Sequence, residues 1–399
     1  MSTDHQDGEN QQASFSGVYL AGKPATSRWN IVCQNGVISS LTESSEPSGG
    51  NGTQILTHSL CHPHIHLDKC FLLQHPKYAD LEIQKGDFAE AMQLTSMCLV
   101  HSFVYISNSH SYIAEAKSRF EVDDLIERGR ALIEESIGFG VTHMRAFVEV
   151  DLGVGLKCLD AGLRLKAEFR DRCFVQICVF AQDPIISYED EGFAMKSLLE
   201  EAVAKPGVEA IGSTPYVEKQ PQAETSNVLF TMNLAKKHEL HLDFHIDYDL
   251  DPEKLSVVLI AIDFLNRFGW PSDPQSSSYR TIVFGHCTRL TLFDKHEWNQ
   301  LCEKIGTLPV SFVGLPTSDL FMMGRPSEAS GGGERPRGTL QILQMIEKYD
   351  LNAAIGINNV GNAFTPHGSC DPLNLASFGV GIYQSGTKKD AEILFVSEE

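Results

Sequence analysis

The stretch Cys61-His62-Pro63-His64-Ile65-His66-Leu67-Asp68-Lys69 places histidines at alternate positions. In extended backbone successive side chains alternate faces, so His62, His64 and His66 would share one side and Pro63, Ile65 and Leu67 the other. Neutral imidazole is the commonest protein ligand for zinc and also suits iron and nickel, so a His-x-His pair at a strand end offers two donors at fixed separation. A histidine-rich surface strand, or core histidines satisfied by backbone, would read the same way locally. The motif therefore needs partners from elsewhere in the chain.

Those partners must be positioned by regular elements. Short apolar runs recur near 56–61, 142–150, 174–181, 208–213, 241–246, 281–285, 308–314 and 352–357. Between them lie segments with apolar residues at three- and four-residue spacing, such as 123–137, 192–204, 228–237 and 253–268. Strands alternating with helices in this number predict a (β/α)8 TIM-type barrel rather than a doubly wound sheet. No internal repeat argues for a solenoid.

In such a barrel chemistry sits at the carboxyl ends of the strands. Polar residues fall there in this chain: His64 and His66 on the first run, His245 and Asp247 in Phe244-His245-Ile246-Asp247-Tyr248, and His286 in Gly285-His286-Cys287-Thr288. The last run ends in Gly356-Ile357-Asn358-Asn359. Imidazoles at the ends of three different strands are what a single-ion site requires.

Composition narrows the class. A chain of 399 residues, 42% of them apolar, can bury a sizeable core, and its formal net charge of −20 makes nucleic acid and anionic membrane surfaces poor partners. A small molecule is the expected partner, and a homo-oligomer is compatible with the sequence. The ten cysteines are scattered without a Cys-x-x-Cys pair and no apolar leader precedes them, which predicts reduced thiols and a cytoplasmic protein. The sequon Asn51-Gly52-Thr53 is then expected to be silent. Residues 1–13 read as a disordered tail, 14–55 as a small β-unit with a turn at Asn35-Gly36, and 56–399 as the barrel.

The segments Pro63-His64-Ile65-His66-Leu67-Asp68-Lys69, Phe244-His245-Ile246-Asp247, Gly285-His286-Cys287-Thr288 and Asn359-Val360 resemble the cytosine deaminase branch of the amidohydrolase superfamily. The likeness runs from about residue 14 to the C-terminus. It implies a barrel holding one divalent metal ion, zinc or iron, on His64, His66 and His245. It also maps His286 onto the histidine that orients substrate and attacking water, and Gln182 onto a glutamine that reads the edge of a pyrimidine ring.

The chain departs from that pattern at two positions. Where the resemblance calls for a strand-eight aspartate as base, the chain has Asn358, whose neutral carboxamide cannot accept the proton. Where cytosine deaminases carry a glutamate after His-x-Asp, it has Tyr248. Literal cytosine deamination is therefore not expected. Asp247, Asp319 and His286 are the candidates to collect the proton. Arg325, after Asp319 in Ser318-Asp319-Leu320-Phe321-Met322-Met323-Gly324-Arg325, reads either as a clamp for an anionic group or as a solvated cation beside a packed helix.

The expected activity is metal-dependent hydrolysis of a non-peptide C–N bond in a small cyclic amide or amino-heterocycle. The alternative is a catalytically impaired barrel that keeps the pocket for binding or sensing.

Other positions carry smaller expectations. Lys69 reads as a substrate or loop contact, His62 as a hydrogen-bonding neighbour of the site rather than a third ligand from the first strand, and Asp68 as an orienting group for a ligand imidazole. Arg145 and Glu149 share one strand face and could pair inside the barrel or point at substrate, the pair being the expected arrangement. The Gly331-Gly332-Gly333 run lacks the residues of a phosphate loop and reads as a surface loop. Relatives in the resembled family continue with a further helix and return strands, so the chain is expected either to have a one-sided small unit or to be short of full length.

Overall fold

The computed structural model describes residues 12–24, 26–45, 54–95, 115–326 and 335–396. Most of the expected tail, the 46–53 loop and Gly331-Gly332-Gly333 lie outside the described residues. The chain divides into two compact units, Met1–Ser59 and Leu60–Glu399.

The first unit is a four-stranded sheet of β1 (Gln12–Leu20), β2 (Arg28–Gln34), β3 (Val37–Ser44) and β4 (Ile55–Leu56), in the order β3-β2-β1-β4. Asn35 and Gly36 turn β2 into β3 with φ of 50° and 78°, the left-handed pair a two-residue hairpin demands. The apolar run expected to open the barrel belongs partly here, because Ile55 and Leu56 pair with Tyr19 and Leu20.

The second unit is the (β/α)8 barrel. Its parallel strands are β5 (Leu60–His66), β6 (Val141–Glu149), β7 (Phe174–Ala181), β8 (Val208–Ser213), β9 (His241–Ile246), β10 (Ile282–His286), β11 (Val310–Gly314) and β12 (Ala353–Ile355), hydrogen-bonded in chain order. The helices are α1 (Phe88–Thr95), α2 (Glu115–Ser118), α3 (Val122–Gly138), α4 (Lys157–Phe169), α5 (Phe193–Val203), α6 (Pro221–Lys237), α7 (Val257–Arg267), α8 (Lys295–Ile305), α9 (Pro316–Met322), α10 (Ile342–Tyr349), α11 (Pro372–Ile382) and α12 (Lys388–Val396). Asn358 closes the circle: its N–H donates to His64 O at 3.1 Å and its carbonyl accepts from His66 N at 2.8 Å. It does so with φ of 66°, a conformation asparagine tolerates better than most residues.

Period-two alternation explains the two faces of the barrel wall. Along β6, Ala146 and Val148 join the core shared with Leu132 of α3 and Leu165 of α4, whereas Phe147 packs inside the lumen with Cys178, Phe180 and Ala210. Each such side chain removed from water contributes roughly 1.5–3 kcal/mol. Arg145 and Glu149 do share the lumen face, but they do not pair. Four residues of strand separate them by roughly 13 Å, and each finds a partner at its own end: Asp243 for Arg145, Lys69 and Lys117 for Glu149.

The histidine motif also differs from simple alternation. Register slips between His62 and Ile65, so Pro63 and His64 together oppose the single residue between Met144 and Ala146. Proline has no N–H for the ladder, and the resulting bulge shifts phase. His62 accordingly leaves the face of His64 and His66 and meets Ser136 Oγ of α3 at 3.0 Å.

Burial sets a pH dependence for the metal-free fold. It lowers the pKa of His62 to about 3 and of His241 to about 4, and pushes His64, His66 and His245 well below the usual imidazole range. The unfolded chain therefore binds protons on these groups near pH 6.5, where the folded chain does not. Stability is complete above that pH and is lost as pH falls. Burial acts oppositely on Asp68, Asp183 and Asp247, raised to about 6, on Asp243, raised to about 7, and on Asp319, also raised, all of which favour the folded state as pH falls towards 4. Five histidines against five carboxylates leave little net slope between pH 6 and 4, well under the roughly 7 kcal/mol per pH unit that five uncompensated histidines would give. Urea unfolding of chelator-treated protein across that range checks the balance, and a fall of several kcal/mol per pH unit would contradict it.

Candidate active site

His64 and His66 from β5 meet His245 from β9 inside the carboxyl end of the barrel. Nε2 of His245 lies 3.0 Å from Nε2 of His64 and 3.0 Å from Nε2 of His66. All three residues are buried, and their converging nitrogens form a metal-binding arrangement. Tetrahedral zinc, with Zn–N bonds of about 2.0–2.1 Å, would hold such nitrogens about 3.3 Å apart, so the cluster needs to open by only a few tenths of an ångström. The donors are also in the right state: burial keeps each imidazole neutral, and the neighbouring histidines and Lys69 push the same way. Nδ1 of each histidine and Oδ1 of Asn358 are buried without partners, as expected of a polar site built around a further group.

The rings are held by the lumen aromatics. Phe147 stacks on His66 with centroids 5.0 Å apart, and Phe180 lies 4.2 Å from His245. Gly285 leaves room beside His64, since a Cβ there would stand 3.1 Å from Cε1 of that ring.

His286 ends β10 with φ of 67°, an uncommon backbone state for a non-glycine residue that turns its ring back over the site, 5.2 Å from the ring of His245. Its Nδ1 is 2.6 Å from Oδ1 of Asp319 on α9, leaving Nε2 for the pocket. Thr339 Oγ1 donates to the other Asp319 oxygen at 2.7 Å. Burial raises the Asp319 carboxyl above the ordinary range, with the His286 charge opposing. Tyr248 donates to the Asp319 backbone carbonyl at 3.2 Å and lays its ring 5.2 Å from His286.

Asp247 and Arg325 are placed elsewhere. The Asp247 carboxylate accepts from Ser256 Oγ at 2.5 Å and from the N–H groups of Val257 and Val258 at 2.7 and 3.3 Å. It thus caps the N-terminus of α7 and has no contact with the histidines among those described. Arg325 is exposed beyond α9, its backbone N–H bonded to Lys85 O at 2.9 Å, and it does not line the pocket.

Gln182 does line the pocket, and its orientation is set by a buried ion network. Lys69 Nζ donates to Gln182 Oε1 at 2.5 Å and pairs with Glu149, while Gln182 Nε2 donates to Met92 Sδ at 3.3 Å, a weak acceptor that leaves the second amide N–H for another partner. Lys117 of α2 binds Glu149 and Asp151 at 2.6 Å each and approaches Asp183 at 3.8 Å. Burial opposes ionisation of Glu149, but the charges of Lys117 and Lys69 outweigh it and hold the carboxyl below its ordinary range. Asp68 accepts from the Glu149 N–H at 2.8 Å rather than from an imidazole. Sequence reasoning missed Lys117, Asp151 and Asp183 as parts of the site's frame. Nothing in their local spelling marks them, since they meet only through the fold.

Lys117→Met would leave three buried carboxylates without their shared cation. The expected cost is about 3–5 kcal/mol of folding stability, measured by denaturant unfolding. A change below about 1 kcal/mol would show that the network is not structural.

The pocket is lined by the apolar Phe88, Tyr216, Met322 and Phe364 together with the polar His66, His245, His286, Asn358 and Gln182. Its free volume is ≈ 10 Å³, about the space of one water. A larger cavity of ≈ 360 Å³ lies at the opposite, amino-terminal end of the strands, lined by Met144, Arg145, Gln176 and Val283 and by none of the clustered histidines. Volume alone would have pointed to the wrong end.

No protein-family model matches this chain, and no curated protein does. Solved structures do match. A 5-methylcytosine deaminase from Klebsiella pneumoniae superimposes with TM-score 0.73 at 18% identity, over 96% of this chain and 86% of that one. N-isopropylammelide isopropylaminohydrolase from Burkholderia multivorans gives 0.67 at 18%, over 97% and 85%. Guanine deaminase from C. acetobutylicum gives 0.53 at 16%, over 97% and 85%. The class that fold and site define is thus a (β/α)8 barrel with a buried three-histidine group at the carboxyl end of its strands. Its fold is the one these deaminases and aminohydrolases share, as the sequence motifs led one to expect.

Proposed function

We propose that the chain is a metal-dependent amidohydrolase of the cytosine deaminase-like branch, hydrolysing a non-peptide C–N bond in a small cyclic amide or amino-heterocycle. The observation that carries this reading is the convergence of His64, His66 and His245 beside the His286–Asp319 pair in one pocket. His64, His66 and His245 would hold a single divalent ion, zinc or iron. When bound, such an ion supplies Lewis acidity and brings the pKa of water from about 15.7 to about 7.

The chain's own residues do the rest. His286, its Nδ1 held by Asp319, presents Nε2 to take a proton from the attacking water and return it to the departing nitrogen. Asp319 stabilises the charged imidazole that forms between the two transfers. Gln182, its carbonyl occupied by Lys69 and one N–H directed at Met92 Sδ, offers its second N–H to an acceptor atom on the ring. Phe88, Tyr216 and Phe364 supply flat apolar surface, and a pocket with ≈ 10 Å³ of free volume admits a ring only if its lining shifts. Asn358 lines the pocket where the resemblance places a carboxylate, so proton traffic falls to His286 and Asp319.

Turnover by metal-loaded protein of a panel of cyclic amides and amino-heterocycles, read by ammonia or amine release, tests the proposal. Confirmed metal with no turnover of any member would count against it. Asn358→Asp belongs in the same assay. A native protein that is already active and is slowed by the change supports the present reading. Activity that appears only after the change would favour a barrel that binds without turning over.

A further inference from the structure

Two buried polar atoms in the lumen face one another without partners: Nδ1 of His64 and Oδ1 of Asp243, 3.8 Å apart. Both side chains are 0% exposed. Leaving either atom unsatisfied costs free energy on the order of 1–3 kcal/mol, and a closer approach of about 1 Å would satisfy both. The other oxygen of Asp243 is fixed, because Arg145 Nη1 donates to Oδ2 at 2.8 Å. Arg145 is itself clamped, donating from Nε to Gln176 Oε1 at 2.7 Å and from Nη2 to Thr281 Oγ1 at 3.4 Å. Arg145 and Gln176 are direct neighbours across β6 and β7, and Asp243 stands two residues before His245 on β9.

We propose that Asp243 is a positioning residue for His64: it accepts the Nδ1–H, which obliges the ring to present the Nε2 lone pair to the three-histidine centre, and Arg145 holds the carboxylate in place. The inference rests on the metal-binding reading above. An imidazole free to carry its proton on either nitrogen is a ligand for only part of the time. A carboxylate behind it selects the competent tautomer and makes the ring more basic, and losing such a partner typically weakens metal binding 10–100-fold. In Asp243→Asn, Arg145 would claim the amide oxygen and the NH2 would face His64. The imidazole would then accept at Nδ1 and carry its proton at Nε2, the nitrogen the ion needs.

Two measurements test this. In metal-free protein, 15N signals of the labelled histidines, with His64 assigned by a His64→Gln control, should show Nδ1 protonated in the native chain and Nε2 protonated in Asp243→Asn. Zinc affinity, measured by competition with a chromophoric chelator, should fall 10–100-fold in the same variant. Should Asp243→Asn fail to fold because Arg145 loses its counter-charge, Arg145→Met with Asp243→Leu removes both charges together, and the same loss of affinity is expected. A native His64 protonated at Nε2 overturns the inference, as does zinc affinity within threefold of native in a folded variant. A native protein that binds no divalent ion defeats the metal reading itself. Native binding with unchanged variants defeats only the role of Asp243.

Discussion

Replacing His245 with alanine is expected to take bound metal from one ion per chain to a small fraction of that. The side chain is the hinge of the cluster: its Nε2 is within 3.0 Å of both of the others, whereas no direct bond joins His64 to His66. Two imidazoles from one strand remain, a bidentate site with no third protein donor, where catalytic zinc sites ordinarily have three. The loss of affinity should exceed the roughly 100-fold that follows from removing a supporting group behind a ligand. Turnover should fall on the order of 10³-fold or more, because water then returns toward its ordinary pKa of about 15.7. Elemental analysis and steady-state rates on the same preparations check both parts. Full metal occupancy in His245→Ala would show that the ion, if present, is held elsewhere.

The second large effect is expected at Asp319. Asparagine there keeps the shape and can still bond His286 and Thr339, but it removes the charge that supports a protonated His286. The expected result is a fall in kcat of about 10²–10⁴-fold, the range associated with general acid–base groups. Metal content should remain at the native level, since Asp319 bonds His286 and Thr339 rather than the clustered histidines. The combination separates the two machines: His245→Ala loses ion and rate together, Asp319→Asn loses rate alone. An unchanged kcat would remove the His286–Asp319 pair from the proton path and reopen the question of what replaces the missing acid at Asn358.

How much of this was legible beforehand differs from residue to residue. His64, His66, His245 and His286 could be found because each ends an apolar run, and the period of a barrel sends the ends of its strands to one face. The barrel itself followed from the same alternation, although its first strand begins at Leu60 and takes in the histidine motif, while Ile55 and Leu56 pair in the small sheet. Asp247 was misread because a carboxylate two residues after a metal ligand resembles a base as much as it resembles a cap. Only the path of the chain into α7 shows the N–H groups it serves. Arg325 had two readings that differ in side-chain direction, which no spacing rule supplies.

By itself, then, the order of residues determined the periodicity, hence the barrel, and with it the imidazoles that face a common end. Those are consequences of backbone geometry, which repeats every two or 3.6 residues and is local. The bulge at Pro63 that turns His62 away, the separate partners of Arg145 and Glu149, the Lys117 network and the placing of Asp243 beside His64 were decided only by the folded chain. Each depends on groups far apart in sequence meeting in a buried space where an unpaired charge or N–H is costly, and that cost acts through distance in three dimensions rather than along the chain.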